Sequence, residues 1–244
     1  MKTLHDMESA YERGRYSFTN FLGLAERSDY LEELAGNSYL PTAFFGGMPD
    51  CERVMLRVGS PETLGYEESW PIRLVEVTPK NRKFSDELTH RDFLGAVLHL
   101  GLERDTIGDI FVEDRTGYLF CTETAAEVIC SSLDRVKHTS VDCRILDKIP
   151  PLHAAEPDEI RIQAASLRLD LILAKAYHLS RQAAQELFPA HRVFVDGRLC
   201  ENNSHTLQKG EIISVRGFGR LKLEEEQGLS RKGKRNLILQ VTAR

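Results

Sequence analysis

The sequence predicts an α+β fold in three parts, and three observations carry that expectation. Strand-type and helix-type signals follow one another as β-α-β-β-α-β through the middle of the chain. Three of the nine prolines fall within eight residues, 150–157, and mark a break. Beyond it come two segments with helix-capping signals, then short β-rich runs around an Asp-Gly turn. The expected division is a mixed α/β segment at 1–68, a central domain at 69–148, a linker at 149–165 and a C-terminal domain at 166–244. The 244 residues suit one or two domains of roughly 150 residues, with room for a third small one.

In the first segment, residues 30–35 fit a helix that Ser28 or Asp29 starts and Gly36-Asn37 stops. Residues 42–45 and 54–58 fit short strands about a turn at Gly46-Gly47-Met48-Pro49-Asp50, and 59–69 reads as a connector. In the centre, residues 72–77 are β-rich. Thr89-His90-Arg91-Asp92 has the form of a capping box, after which Phe93, Leu94, Val97, Leu98 and Leu100 keep helical spacing up to Gly101. Residues 107–112 and 118–121 read as a hairpin, Thr122 or Thr124 caps a helix to about Leu133, and 139–145 is β-rich again. That order is the split βαβ, ferredoxin-like unit, shared by RNA-recognition-motif proteins and many unrelated ones. In the tail, Ser166 is expected to cap a helix over 167–177 and Ser180 a second over 181–188. Strands follow at 193–195 and 211–216, with Asp196-Gly197 as a hairpin turn.

Composition narrows the class. With 41% hydrophobic and 28% charged residues, 17 Gly and 9 Pro, the chain is neither collagen-like nor wholly disordered nor a disulfide scaffold. Five widely spaced cysteines form no CxxC pair and read as reduced thiols; no metal and no cofactor is expected. The first twenty residues are charged throughout, and no apolar run approaches the roughly 18–20 residues of a membrane span, so a cytoplasmic protein is expected. A formal net charge of −5 argues against a nucleic-acid partner only until the chain is split. Residues 1–160 hold 17 Lys/Arg against 29 Asp/Glu, net −12, while residues 161–244 hold 15 against 8, net +7.

The basic tail carries the strongest motif. In order it gives Leu167-Arg168-Leu169-Asp170, Leu173-Ala174, Ser180-Arg181-x-x-Ala184, Val193-x-Val195-Asp196-Gly197 and Leu207-x-Lys209-Gly210-Glu211-x-Ile213-x-Val215. This resembles the RNA-binding module named after the ribosomal small-subunit protein S-four, over about residues 166–216. The resemblance implies a helix pair packed on a small sheet, the pair lying on structured RNA. His191 departs from that family, which usually has Gly before the Arg-Val strand start.

The residues themselves support the same chemistry. Arg168 and Lys175 are seven apart, near one face of the expected first helix. Ser180 and Arg181 open the second, beside backbone N–H groups that favour an anion, and Arg192 just precedes a strand. Together they make a phosphate-binding edge without a base-reading code. Arg216-Gly217-Phe218-Gly219-Arg220-Leu221-Lys222 and Arg231-Lys232-Gly233-Lys234-Arg235 suggest a basic hairpin, with strands at 220–223 and 236–241 and a loop at 224–230. Its glycines would let the backbone approach a phosphate, and its cations add sequence-independent affinity. The alternative is a solvated basic face on a protein-interaction domain.

Catalytic look-alikes are explained away by their surroundings. His90-Arg91-Asp92-Phe93 has the form of a kinase catalytic loop but carries Val97 where that loop needs Asn. Arg104-Asp105-Thr106-x-Gly108 resembles the catalytic Asp segment of pseudouridine synthases, so an RNA-modifying enzyme is the alternative. Tyr118 and Phe120 alternate where RNA-recognition motifs display stacking aromatics, yet in a half-buried sheet that alternation predicts core. His99 and His138 read as ordinary structural or surface histidines.

Along nearly its whole length the chain resembles the bacterial YlmH family. The carrying residues are Phe45-Gly46-Gly47 with Glu52-Arg53, Phe84-x-Asp86-Glu87-Leu88-Thr89-His90-Arg91-Asp92-Phe93-Leu94-Gly95-Ala96, Gly101-Leu102-Glu103-Arg104-x-x-Ile107-Gly108-Asp109-Ile110, and Arg216-Gly217-Phe218-Gly219-Arg220. The resemblance implies a non-enzymatic protein that binds rRNA, with tRNA a further candidate, on the large ribosomal subunit in ribosome-associated quality control. It also implies a link to cell division, and a further alternative is a protein-interaction module whose acidic N-terminal part binds a basic partner such as a ribosomal protein.

Overall fold

The computed structural model describes residues 2–49, 51–152 and 157–243. The chain divides into two compact units, one of Met1–Glu26 with Glu33–Ala154 and one of Arg27–Glu32 with Ala155–Arg244. Both are mixtures of helices and antiparallel sheets, an α+β architecture. Among the described residues no helix is long and apolar enough to cross a membrane.

The chain opens with α1 (Leu4–Glu12), β1 (Ser17–Phe18), α2 (Leu24–Ala35), β2 (Thr42–Phe45), β3 (Met55–Val58) and α3 (Pro61–Leu64). Helix α1 was not expected from the charged opening residues; Thr3 and Asp6 cap it reciprocally, and Leu4 and Met7 supply its buried side. Helix α2 ends at Gly36 as expected but starts six residues earlier than its capping signals suggest. Burial of Leu24 extends it past Ser28 and Asp29, which lie inside. Strands β1, β3 and β2 form a small sheet in that order. The turn expected at 46–50 falls partly outside the described residues, at Asp50.

Next come β4 (Ile72–Pro79), α4 (His90–His99), β5 (Ile107–Glu113), β6 (Thr116–Thr122), α5 (Glu123–Ser132), β7 (Arg135–Val136) and β8 (Thr139–Leu146). Their sheet runs β5-β6-β4-β8-β7, every pairing antiparallel. Period-2 alternation divides its side chains between two layers. Val75, Val77, Leu119 and Cys121 pack under Phe93 and Val97 of α4 and Ala125, Ala126 and Ile129 of α5. Leu74 and Phe120 point the other way, onto Phe21, Cys51 and Met55 of the first segment.

That second layer is closely fitted. Gly47 has φ +110°, and a Cβ there would sit 2.3 Å from the Phe120 ring. Arg53 donates to the carbonyls of Ile107 (2.9 Å) and Phe21 (2.8 Å), and the Glu52 N–H donates to Asp109 Oδ2 at 2.5 Å. The sheet is therefore covered by helices on one side and, around Leu74 and Phe120, by the first segment on the other. Phe120 is 2% exposed, as its reading as core requires, while Tyr118 is only partly buried.

The second unit contains β9 (Asp158–Ala164), α6 (Leu169–Ala176), α7 (Arg181–Glu186), β10 (Val193–Val195), β11 (Arg198–Leu199), β12 (Ile212–Val215), β13 (Gly219–Leu229) and β14 (Arg235–Ala243). Its six-stranded sheet runs β11-β10-β12-β13-β14-β9. Leu169, Ile172, Leu173, Ala184 and Phe188 from the helical part share one core with Val193, Ile213, Val215, Leu221, Leu223, Leu237 and Leu239 from the strands. Asp196 (φ +50°) and Gly197 (φ +82°) make the expected tight turn.

Three expectations are corrected here. The stretch 149–165 is more than a linker, because β9 occupies its second half and pairs with β14 from Asp158 to Ala164. Ile160 and Ile162 pack on the core with buried Ala164, an alternation overshadowed by the neighbouring prolines. Ser166 does not cap α6; Arg168 takes the N-cap position. The first amides are served from elsewhere, Leu169 N–H by the His205 carbonyl (2.8 Å) and Asp170 N–H by the Asn203 carbonyl (3.2 Å). Residues 224–229 are not a loop but the outer half of β13, carried through two register shifts to Leu229 opposite Arg235.

Candidate nucleic-acid interface

At the start of α6 a buried carboxylate organises the cations. Asp170 is fully buried on a helix whose only other charged residue is the exposed Lys175. It accepts from Arg168 Nε and Nη2, each at 3.0 Å, and from Gln185 Nε2 of α7 at 3.0 Å; Arg181 Nε lies 4.0 Å away. Burial pushes the Asp170 carboxyl up, but the Arg168 and Gln185 hydrogen bonds outweigh it and the net shift is downward. The Arg168 hydrogen bond to Asp170 and their attraction raise Arg168 in turn. The carboxylate thus fixes one face of the Arg168 fork and leaves the rest of a part-exposed guanidinium presented outward. Arg181 and Lys175 are exposed beside it in sequence. Ser180 accepts from the Ala183 N–H at 3.1 Å, so its hydroxyl caps α7.

A second cluster interleaves arginine with aromatic rings. Arg192 donates through Nε and Nη2 to the Arg216 carbonyl, at 3.1 and 2.6 Å, and its guanidinium lies 5.4 Å from the Phe218 ring centre. Phe218 meets Tyr177 of the α6 end at 5.1 Å, while Arg216 stands 5.2 Å over Phe194. Gly217 has φ +84°, and a Cβ there would be 2.6 Å from Arg192 Nη2. The glycine expected to admit a phosphate admits a guanidinium. His191, just before, has φ +52° and holds Glu201 at 2.9 Å; the resembled family's Gly suits that left-handed backbone.

The remaining basic residues divide by partner. Lys222 lies 4.0 Å from Glu224, and Arg235 is paired with Glu226, so the acidic run inside β13 neutralises two of the expected contacts. Arg220 is half-buried on the same strand face as Lys222. Arg231, Lys232 and Lys234 stand exposed on the turn that closes β13 and β14, held by Ser230 N–H to the Lys234 carbonyl (2.7 Å). Like Lys175, they make no ion pair among the described residues. The arrangement is two ordered arginine clusters plus a basic hairpin tip. Sequence reading missed the partners Asp170, Gln185, Phe194 and Phe218. The signal for Asp170 was a lone acid in the apolar run 169–174, two residues from an arginine.

The look-alikes in the first unit have structural work. Asp92 accepts from the Thr89 hydroxyl and N–H, both at 2.7 Å, and from Lys137 at 2.9 Å. The Thr89 hydrogen bond leads the causes that lower its pKa to about 2. Asp105 Oδ2 accepts from Asn20 Nδ2 at 3.1 Å, and its carbonyl takes the Phe21 N–H at 2.8 Å. All five cysteines are free; burial pushes the Cys121 and Cys143 thiols up to about 12. Among the described residues no cluster of three or more His, Cys, Asp or Glu is placed to hold a metal ion.

A family model described as "Putative RNA-binding domain in YlmH" matches residues 66–148, the span of β4 to β8. "Ribosome-associated protein quality control protein P2" of Bacillus subtilis (strain 168) is 30% identical over 227 residues, covering 91% of this chain and 86% of that protein. Among solved structures, "Cell division protein ylmH from Streptococcus pneumoniae" aligns with a TM-score of 0.42 at 20% identity, over 60% of this chain and 93% of that one. Identity of that extent across most of both sequences, with the family model in register on the central sheet, establishes that the chain belongs to the YlmH family.

Proposed function

We propose that this chain is a non-enzymatic, cytoplasmic RNA-binding protein that grips folded RNA on the large ribosomal subunit, rRNA and tRNA among its ligands, in ribosome-associated quality control. The single observation that carries the reading is the convergence of Arg168, Arg181 and Gln185 on buried Asp170 at the helix pair. A buried acid holding the Arg168 fork in place, with Arg181 beside it, is a device for presenting guanidinium groups to phosphate. The 30%-identical relative, named for ribosome-associated protein quality control, supports the setting.

On this reading the β4-α4-β5-β6-α5-β8 order, with strands ranked β5-β6-β4-β8, is a ferredoxin-like domain at about 69–148. The α6–α7 pair on its sheet is an S-four-type module within 166–244, extended by β9, and residues 1–68 form the cover of the central sheet. Binding is through phosphates and shape, without a base-reading code. The +7 tail docks on RNA, and the net −12 of residues 1–160 leaves acidic surface for a protein partner.

The test uses the full-length protein and purified large-subunit rRNA folded in magnesium. Lys175→Glu with Arg181→Glu reverses two exposed charges, and the dissociation constant is expected to rise roughly ten-fold or more at fixed salt. An unchanged constant overturns the proposal.

A further inference from the structure

We propose that the groove between α4 and the segment leading from α5 into β7 is a second RNA contact, taking the phosphodiester backbone of a strand on the helical side of the central domain. It deepens the RNA-binding reading above and rests on it.

The first segment covers much of the sheet side of this domain, leaving Tyr118 partly buried. Domains of this topology that bind single strands do so by stacking bases on exposed sheet aromatics. Here Phe120 is buried beneath the first segment, with Gly47 against its ring. With that ring out of reach, the sheet lacks the pair of exposed aromatics that such binding uses. The helical side holds a concavity of about 540 Å³.

Its lining suits a phosphate chain. Arg91, Gly95 and His99 recur at four-residue intervals along α4 and form one exposed stripe. Facing them are Arg135 and Lys137, two apart and both exposed. Neither Arg91 nor Arg135 makes an ion pair among the described residues. Of the two acids on the rim, Asp92 is already occupied by Thr89 and Lys137, and Asp134 is the other. Lys137 has φ +51°, and its amine is held 2.9 Å from Asp92, turned toward α4.

A Cβ placed on Gly95 would meet nothing within 4 Å, so the floor beside Arg91 is open to close approach. No Phe, Tyr or Trp lines the groove and His99 is its one ring, a lining that favours backbone over base contacts. Unpaired arginines lining a concavity focus their field where low-dielectric walls limit screening. Within residues 1–160, which carry −12, that is a local reversal of sign.

The experiment compares full-length Arg91→Glu/Arg135→Glu with the Lys175→Glu/Arg181→Glu variant on the same magnesium-folded large-subunit rRNA. For the groove pair, affinity is expected to fall about ten-fold and the log–log salt slope to shrink by roughly 2. Its thermal melt should match wild type, because both side chains are exposed. If the groove pair binds within two-fold of wild type while the tail pair weakens, the groove assignment is overturned and the RNA-binding reading stands. If neither weakens, both fall. Should the double Glu variant melt early, Arg91→Ala/Arg135→Ala replaces it, with about a three-fold or greater loss expected and none overturning the assignment.

Discussion

Arg168 grips Asp170 with two parallel hydrogen bonds of 3.0 Å, from Nε to Oδ1 and from Nη2 to Oδ2, across only two residues of chain. The pair sits at the N-cap of α6, where the carbonyls of Asn203 and His205 take the helix's first amides. The carboxylate is completely enclosed while the guanidinium is part-exposed, so the acid belongs to the fold and the base to the surface.

Asp170→Asn keeps the shape of the side chain but removes the charge that Arg168 and Gln185 bind. Unfolding free energy should drop by about 2–3 kcal/mol in urea titration, the weight of charge-assisted bonds to a buried acceptor. RNA affinity of the folded fraction should also drop, since Arg168 loses its anchor. Wild-type stability with weakened binding would show that Asp170 positions Arg168 without supporting the fold.

The capping box of α4 carries a pH signature. The Asp92 pKa is lowered from 3.8 to about 2 in the folded state, so the unfolded chain takes up the proton first as acid is added. Its contribution is complete above about pH 5 and is lost as pH falls through about 2. Asp92→Ala should cost about 1–2 kcal/mol at pH 7, with a difference from wild type that narrows on acidification through that window. A difference constant from pH 6 to pH 2 would contradict the assignment.

Gly47→Ala should destabilise the first unit by about 2–3 kcal/mol, combining positive φ with overpacking. Its Cβ would collide with the Phe120 ring. Melting of the variant near the wild-type temperature would mean that the first segment does not seal the central sheet.

His191→Gly should raise stability by about 0.5 kcal/mol, because a left-handed backbone costs a residue with a Cβ more than it costs Gly. The His191–Glu201 contact it gives up is exposed and worth little. A clear loss in chemical denaturation would assign that contact a larger structural role.

The central domain was the most legible part of the sequence. Its hydrophobic alternation, the Thr89–Asp92 capping box and the Thr122 cap each reappear where local chemistry places them. What escaped was decided by contacts distant in sequence. Helix α6 begins at Leu169 because carbonyls more than thirty residues away serve its amides, a fact no capping rule applied to Ser166 can contain. Strand β9 follows a proline cluster that reads as a linker until β14 supplies a partner. The three consecutive glutamates Glu224-Glu225-Glu226 look like a loop, yet they lie on an exposed strand where Lys222 and Arg235 neutralise two of them. In the candidate site the cations were visible as residue types. The acid and rings that orient them were hidden, because a lone Asp or Phe carries no spacing signal until the helices and turns bring it beside an arginine.

The most direct test of the central claim is the salt dependence of wild-type affinity for magnesium-folded large-subunit rRNA. Release of counterions from about four to six phosphates predicts a log–log slope of roughly −3 to −5. An affinity that does not change with salt would contradict it.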